Sequence, residues 1–235
     1  MPILKFSKPE NAYMPFDTAI NNILSSNNPT FDNWINCNMV QCGINMVKDS
    51  ITGVTTPNLY YVDQPGGIII NAFPADFLLK SPNGTNMSSI IDTLLNCDYY
   101  VFLYYDRYYI SSYLSYKNEH YIHPALVYGS DNNNIFLGDF FEQGCYDLRK
   151  CTKDEINNAT LFYYTNRFCK NAYESDIVMI KPEKHLFGFE IDKLKCNINA
   201  YLNSCTVLGE KKNQCYEAFG ISNFSYILEY LNRIS

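Results

Sequence analysis

Residues 99–140 read YYVFLYYDRYYISSYLSYKNEHYIHPALVYGSDNNNIFLGDF, and this stretch decides the fold. Its first part, Tyr99–Tyr105, is rich in aromatic and β-branched side chains and predicts a central strand. His123–Tyr128 and Ile135–Phe140 predict two further strands. Between them, Gly129–Asn134 consists of glycine, serine, aspartate and asparagine, which are typical of a hairpin turn. The stretch therefore predicts the core of an antiparallel sheet.

Helical patterns lie on both sides of this core. Apolar residues from Phe16 to Leu24 recur at helical spacing and predict a first helix with Pro15 in its opening turn. Thr152 and Glu155 have the spacing of a capping box, which predicts a helix that runs to about Lys170. Further patterns predict a helix at 88–96, strand pieces within 58–73, a strand at 176–181, helices at 190–204 and 222–233, and either an extended segment or a short helix at 34–47.

These elements predict the α+β fold class, with helices flanking an antiparallel sheet. We expect one domain over residues 1–235, because no linker or internal repeat separates its parts. Its helical N-terminal part covers about 10–50, its sheet core covers about 58–145 and 176–181, and its helical C-terminal part covers about 152–235.

Composition limits the classes of function. The net charge of −6 argues against a nucleic-acid partner, because phosphate binding needs a basic face. No apolar run is long enough to span a membrane, and the first residues lack the apolar segment of a signal peptide. The nine cysteines are odd in number and include no CxxC pair, which argues against a zinc site and a disulfide scaffold. We expect a cytoplasmic protein with reduced thiols and no membrane partner.

His123 and Asp139 are the candidate catalytic pair. His123 opens one predicted strand, and Asp139 ends the next strand sixteen residues later, so both can lie at the same end of the sheet. A carboxylate beside an imidazole holds one tautomer and stabilises the imidazolium, which suits a general base. The alternative is a histidine that only caps a strand. His120 and His185 have no such partner in the sequence, and we expect them to be ordinary surface residues.

A His–Asp pair of this kind serves a nucleophile, and a thiolate is best stabilised at a helix N-terminus. The predicted first helix begins with Asn11-Ala12-Tyr13, and no cysteine occurs before position 37. The sequence therefore offers a base and an orienting carboxylate without the expected thiol.

Several of these segments resemble a bacterial family of papain-like proteins. They are Tyr100–Ile110, Tyr116, His120, His123–Asp131, and Phe219-Gly220-Ile221 followed by Tyr226-Ile227-Leu228. The family includes the butirosin-type acyltransferases and the cysteine-protease-like amide synthetase of closthioamide assembly. The likeness covers most of residues 10–232, and its specific part is the 99–140 block.

The resemblance implies a papain-like fold, with the nucleophilic cysteine at the N-terminus of the first helix. It implies an amide-forming acyltransferase of nonribosomal peptide and other secondary-metabolite biosynthesis. The acyl group passes from the phosphopantetheine thioester of an acyl or peptidyl carrier protein, through a cysteine acyl-enzyme, to a small-molecule amine. His123 would be the base and Asp139 its orienting partner, and the protein itself would hold no cofactor. The alternatives are a catalytically inactive binding module and, behind it, a cysteine peptidase.

Carried over to this sequence, the nucleophile position is Ala12, where the resemblance implies a cysteine. Three explanations are open: an engineered replacement of cysteine by alanine, a natural inactive relative, and a nucleophile elsewhere. Cys42, within Gln41-Cys42-Gly43, is the first candidate for another nucleophile, and Cys37 is the second. Buried cysteine usually acts only as a small apolar residue.

Overall fold

The structure is a computed structural model that describes residues 2–9, 15–38, 42–48, 55–61, 65–74, 86–142, 145–165, 176–204 and 218–234. The chain divides into two compact units. Unit 1 consists of Met1–Asn28 and Gly67–Lys184, and unit 2 consists of Pro29–Gly66 and His185–Ser235. The α+β fold class is confirmed. The papain-like fold and the single domain stay predictions.

The described helices are α1 (Pro15–Asn27), α2 (Phe31–Asn38), α3 (Met87–Asn96), α4 (Lys153–Thr165), α5 (Ile191–Leu202) and α6 (Asn223–Ile234). The described strands are β1 (Cys42–Lys48), β2 (Thr55–Tyr61), β3 (Ile68–Pro74), β4 (Tyr100–Asp106), β5 (Ile122–Ser130), β6 (Asn134–Glu142), β7 (Cys145–Thr152), β8 (Asp176–Pro182) and β9 (Ala218–Phe219). Among these helices, none is both long and apolar enough to cross a membrane.

Unit 1 is built on a six-stranded sheet with the order β3-β8-β4-β5-β6-β7, in which every neighbouring pair is antiparallel. The strands predicted from the 99–140 stretch, β4, β5 and β6, lie in the middle and on one side of this order. The prediction of an antiparallel sheet with β4 as a central strand is therefore confirmed.

The two faces of this sheet carry separate apolar clusters, because successive side chains of a strand point to opposite faces. Val101 and Leu103 of β4 pack with Ile91 of α3 and Ile156 of α4. Phe102, between them, belongs to the opposite cluster with residues of α1. The sheet of unit 1 thus has α1 on one face and both α3 and α4 on the other.

The capping box at the start of α4 is present. The backbone N–H of Thr152 donates to Glu155 Oε2 at 2.7 Å, and the backbone N–H of Glu155 donates to Thr152 Oγ1 at 3.2 Å. These reciprocal bonds satisfy two donors that the first helical turn leaves unpaired. The helix is described to Thr165, so its predicted end near Lys170 lies outside the described residues.

Unit 2 contains a three-stranded antiparallel sheet with the order β2-β1-β9. The ambiguous stretch 34–47 contains most of α2 and most of β1, so it holds both a helix and a strand. The strand β7 of unit 1 was not predicted. Charged residues interrupt its sequence CYDLRKCT, and its buried side chains are Tyr146 and Cys151. It therefore lacks the apolar run that marks β4 to β6.

Candidate functional site

The candidate site lies in unit 1, where β4 ends and the chain makes an excursion of residues 107–121 before β5. Asp106, the last residue of β4, ties the two ends of this excursion together. Its Oδ1 accepts the backbone N–H of Tyr108 at 3.0 Å and that of Tyr121 at 3.1 Å. The backbone N–H of Arg107 also donates to the carbonyl of Tyr121 at 2.9 Å. The excursion is therefore closed at its base and holds its side chains beside the sheet.

The structure brings His123 and Asp139 together. His123 Nδ1 lies 3.4 Å from Asp139 Oδ1. Because Leu126 of β5 pairs with Gly138 of β6, His123 and Asp139 are diagonal neighbours and do not lie directly opposite each other. Diagonal positions on one face are further apart than opposed ones but within reach of long side chains. This register explains why the two groups approach each other without forming a short hydrogen bond.

Asp139 is buried and its carboxylate is held from several sides. The side chain is fully inaccessible to solvent. Its Oδ2 accepts hydrogen bonds from Arg107 Nη2 at 2.7 Å and from the Tyr113 hydroxyl at 2.5 Å, and its Oδ1 accepts the backbone N–H of Phe140 at 2.7 Å. The Tyr113 hydroxyl also lies 2.6 Å from that of Tyr105. A buried carboxylate needs such partners, and these bonds fix its position.

Burial and charge set the protonation of this network. Burial raises the pKa of Tyr105 and of Tyr113 well above the usual value, and the negative charge of Asp139 adds to both effects. Burial alone would lower the pKa of Arg107, but the charge of Asp139, the nearby Tyr113 and Tyr105 and the hydrogen bond to Asp139 together outweigh it and raise that pKa. The tyrosines are therefore neutral donors, and Arg107 is a permanent cation beside the carboxylate.

Arg107 also contacts the candidate base. Its Nη2 lies 2.6 Å from His123 Nδ1. A guanidinium can only donate, so at this distance Nδ1 accepts and the imidazole hydrogen is on Nε2. The carbonyl of Pro124 lies 2.9 Å from the same Nδ1 and can accept from it in the other tautomer. A general base that uses Nε2 needs this second tautomer, so Arg107 opposes that role while it stays in place.

A cavity of about 280 Å³ lies beside this network. Its lining combines aromatic rings with polar groups: Arg107, Tyr113, Leu114, Ser115, Asn118, Glu119, Tyr121 and Phe141. The guanidinium of Arg107 is stacked between two of the rings, with its carbon 4.5 Å from the centroid of Tyr113 and 5.1 Å from that of Tyr121. Arg107 therefore belongs to the cavity wall and to the Asp139 network at the same time.

A second His–Asp pair lies at the same end of β4 and β5. His120 Nδ1 is 2.5 Å from Asp106 Oδ2, and the Asp106 side chain is fully buried. The imidazole stacks on the rings of Tyr108 and Phe162, with centroids 4.2 Å and 4.8 Å away, and its side chain is 51% exposed. The expectation that His120 has no carboxylate partner is therefore wrong. His185, in unit 2, contacts the ring of Phe187 edge to face.

The candidate nucleophile positions are Ala12 of unit 1 and two cysteines of unit 2, Cys37 and Cys42. Ala12 lies outside the described residues. The helix α1 packs on the opposite face of the sheet from His123 and Asp139. Cys42 is the first residue of β1, so it does not begin a helix.

Cys37 lies in the last turn of α2 and is buried, with its Sγ 3.7 Å from the carbonyl oxygen of Glu190 within unit 2. The carbonyl end of a helix disfavours a thiolate. Cys37 therefore suits a packing role within unit 2.

Comparisons with known proteins do not supply an assignment. No protein-family model matches the chain, and no curated protein sequence matches it. Within the described ranges, no three histidine, cysteine, aspartate or glutamate side chains are grouped so that they could hold a metal ion. The site must be interpreted from its own geometry.

Sequence reasoning missed Arg107 and Tyr113, which hold Asp139. Both lie in the segment that separates β4 from β5. The available signal was an arginine directly after an apolar strand, since a charged residue beside a buried run often has a buried partner.

Proposed function

We propose that this chain has the architecture of an amide-forming acyltransferase, in which His123 is the general base and Asp139 orients it. The observation that carries the proposal is the fully buried Asp139 carboxylate 3.4 Å from His123 Nδ1. The resemblance of the 99–140 block to papain-like acyltransferases supports the same assignment. Asp139 accepts two side-chain and one backbone hydrogen bond, which matches a carboxylate held in place to orient the imidazole.

The reaction needs a thiol at position 12. His123 takes the proton of the thiol, and the resulting thiolate attacks the carbonyl of an acyl thioester. The expelled carrier thiolate takes that proton from His123 and leaves as a thiol. A substrate amine then attacks the acyl-enzyme carbonyl, His123 accepts the proton of the amine, and the enzyme thiol is released as the amide forms. For His123 to accept this proton at Nε2, its other hydrogen must lie on Nδ1, facing Pro124 and Asp139. Arg107 must therefore withdraw from Nδ1 during turnover.

A second candidate function is a binding module that retains the cleft and performs no chemistry. Two observations favour it. Position 12 is alanine, and Arg107 Nη2 lies 2.6 Å from the nitrogen that must carry a hydrogen in a general base. Such a module would hold a carrier protein or a small amine at the same edge of the sheet.

Restoring the thiol separates the two functions. The Ala12→Cys variant is incubated with an S-acyl N-acetylcysteamine thioester, a small analogue of the phosphopantetheine arm, and its intact mass is measured. Acyl transfer predicts a covalent adduct on Ala12→Cys that a primary amine discharges as the amide. A binding module predicts an unchanged mass.

The matched controls are Ala12→Cys combined with His123→Gln, and the unmodified chain with Cys42→Ala. The first should lose the adduct if His123 is the base, and the second should never form one. Acylation of the unmodified chain that disappears with Cys42→Ala would contradict the assignment of position 12. An adduct that persists in the His123→Gln background would contradict the role of His123.

A further inference from the structure

Part of the cavity beside Arg107 is lined by a single helical turn of the 107–121 excursion. The backbone N–H groups of Asn118 and Glu119 both donate to the carbonyl of Ser115, at 3.0 Å and 3.1 Å. Residues three and four positions apart on such a turn present their side chains on one face. All three residues line the cavity. The turn therefore gathers a hydroxyl, an amide and a carboxylate at one place in the lining.

The charge of this turn is not balanced by the cation that lines the same cavity. Arg107 is paired with the buried Asp139, whose Oδ2 lies 2.7 Å from Nη2, so this pair adds no net charge. Among the described lining residues, Glu119 carries the one carboxylate, and it is exposed. Within the described ranges this carboxylate has neither an ion pair nor a hydrogen bond. The lining therefore has one unpaired negative charge.

Two further cations lie close to the cavity but outside its lining. Cζ of Arg149 lies 4.9 Å from the ring centroid of Phe141, and its Nε lies 3.5 Å from Asp147 Oδ2. Lys117 directs Nζ over the ring of Tyr116, 5.1 Å from the centroid. Each cation thus has a partner of its own, and the unpaired charge of the cavity stays negative.

The acceptors and the charge of the turn match a primary ammonium group. Such a group has one positive charge and three N–H donors. The Glu119 carboxylate, the Ser115 hydroxyl oxygen and the Asn118 amide oxygen supply three kinds of acceptor. A neutral ligand lacks the charge, a quaternary ammonium lacks the donors, and an anion is repelled by Glu119.

The rest of the lining suits a small apolar group. Apart from Arg107, it consists of Tyr113, Leu114, Tyr121 and Phe141. The guanidinium of Arg107 already lies over the rings of Tyr113 and Tyr121, so an ammonium ligand depends on the polar turn and not on these ring faces. The volume of about 280 Å³ is at the small end of the range for ligand pockets.

We infer that this cavity binds a primary ammonium carried by a small apolar group, with Glu119 as its charge partner and Ser115 and Asn118 as further acceptors. This binding does not depend on the proposed function. The assignment of the ligand as the amine acceptor of the acyl group rests on that function. Tyr121 lines the cavity and stacks on His123 with centroids 5.8 Å apart, so such an amine lies close to the candidate base.

The test compares three probes that share a benzyl group. Benzylamine has the charge and the donors, benzyltrimethylammonium has the charge without N–H donors, and benzyl alcohol is neutral. Each is titrated into the ¹⁵N-labelled chain at low salt, and binding is followed by the backbone amide signals of residues 113–121. Benzylamine should bind about fivefold or more tightly than either other probe. This advantage should shrink in about 0.5 M salt, because Glu119 is exposed.

Three variants locate the binding on the turn. Glu119→Gln keeps the size of the side chain and removes its charge, so it should weaken benzylamine binding by about fivefold and leave benzyl alcohol unchanged. Asn118→Ala should weaken benzylamine binding by about threefold. Glu183→Gln removes a carboxylate from an exposed position of unit 1 outside the lining, and it should leave the binding of all three probes unchanged.

Other outcomes overturn the inference. Equal or tighter binding of benzyl alcohol would show that the charge of Glu119 does not select the ligand. Equal or tighter binding of benzyltrimethylammonium would assign the site to the aromatic surface and not to the polar turn. The inference also fails if none of the probes binds, or if Glu183→Gln weakens benzylamine binding as much as Glu119→Gln does.

The acyl adduct of Ala12→Cys tests the proposed function separately. If Ala12→Cys forms an adduct that an amine discharges while benzylamine does not bind to the unmodified chain, this inference fails and the proposed function stands. The converse result leaves the ammonium site intact and removes the acyltransferase.

Discussion

The two His–Asp pairs at one end of β4 and β5 differ in almost every respect except composition. His120 is 2.5 Å from Asp106, and its ring is half exposed between two aromatic rings. His123 is 3.4 Å from Asp139, and its side chain is 21% exposed. Asp106 receives two backbone N–H donors, whereas Asp139 receives a guanidinium, a tyrosine hydroxyl and one backbone N–H.

This difference separates a structural pair from a candidate chemical one. Asp106 joins both ends of the 107–121 excursion, so the pair with the shorter distance supports the segment that carries Arg107 and Tyr113. The longer pair, His123 and Asp139, contacts Arg107, which lines the cavity. Under the proposed function, the shorter His–Asp distance does not mark the base, and the groups around the carboxylate are more informative.

Removal of each carboxylate should have unequal effects on stability. Asp139→Ala leaves the buried Arg107 cation without its partner, and loss of one partner of a buried ion pair costs about 3–5 kcal/mol. Asp106→Ala leaves backbone donors unpaired and should cost about 1–3 kcal/mol. Urea denaturation of both variants measures the free energy of unfolding. Equal losses of unfolding free energy in the two variants would show that the ion pair between Arg107 and Asp139 does not stabilise the fold more than the bonds to Asp106 do.

The tautomers of the two histidines should respond differently to Arg107→Met. Without the Nη2 donor, His123 Nδ1 can carry the hydrogen and donate to the carbonyl of Pro124, so its population should move from the Nε2–H to the Nδ1–H form. His120 should keep its hydrogen on Nδ1, directed at Asp106. The ¹⁵N chemical shifts of the imidazole nitrogens report both. An unchanged His123 would show that Arg107 does not set its tautomer.

Parts of this arrangement were predictable and parts were not. The strands β4, β5 and β6 follow from continuous aromatic and apolar runs, and the start of α4 follows from Thr152 and Glu155, whose contact is local in sequence. Arg107 bonds to a carboxylate 32 residues away, and His120 bonds to one 14 residues away. Both contacts depend on how the irregular 107–121 excursion folds back, and no periodic pattern encodes that path.

The buried tyrosines should make stability fall in alkaline solution. Burial raises the pKa of Tyr113 and Tyr105 in the folded state, so the unfolded chain loses these protons first, and stability present below about pH 10 is lost as pH rises above it. Tyr113→Phe should cost about 1.5–3 kcal/mol at neutral pH, since it removes a hydrogen bond to a charged group.

Urea denaturation between pH 8 and pH 11 tests the alkaline effect, because this interval spans the ordinary pKa of tyrosine, about 10. Tyr113→Phe should lose less stability across this interval than the unmodified chain, because one of the groups with a raised pKa is gone. Tyr116→Phe, at a half-buried position with no bond to Asp139 among the described contacts, is the control and should follow the unmodified chain. A parallel decline in all three would place the alkaline effect elsewhere.

The smallest effect on stability should come from the exposed histidine. His120→Gln retains a hydrogen-bond donor and leaves the backbone donors of Asp106 in place, so it should cost about 1 kcal/mol or less. In the Ala12→Cys background it should leave acyl-adduct formation unchanged, whereas His123→Gln should remove it. Denaturation gives the first quantity and intact mass the second. If His120→Gln removes the adduct and His123→Gln does not, the roles of the two pairs are reversed, and Asp106 is the orienting carboxylate.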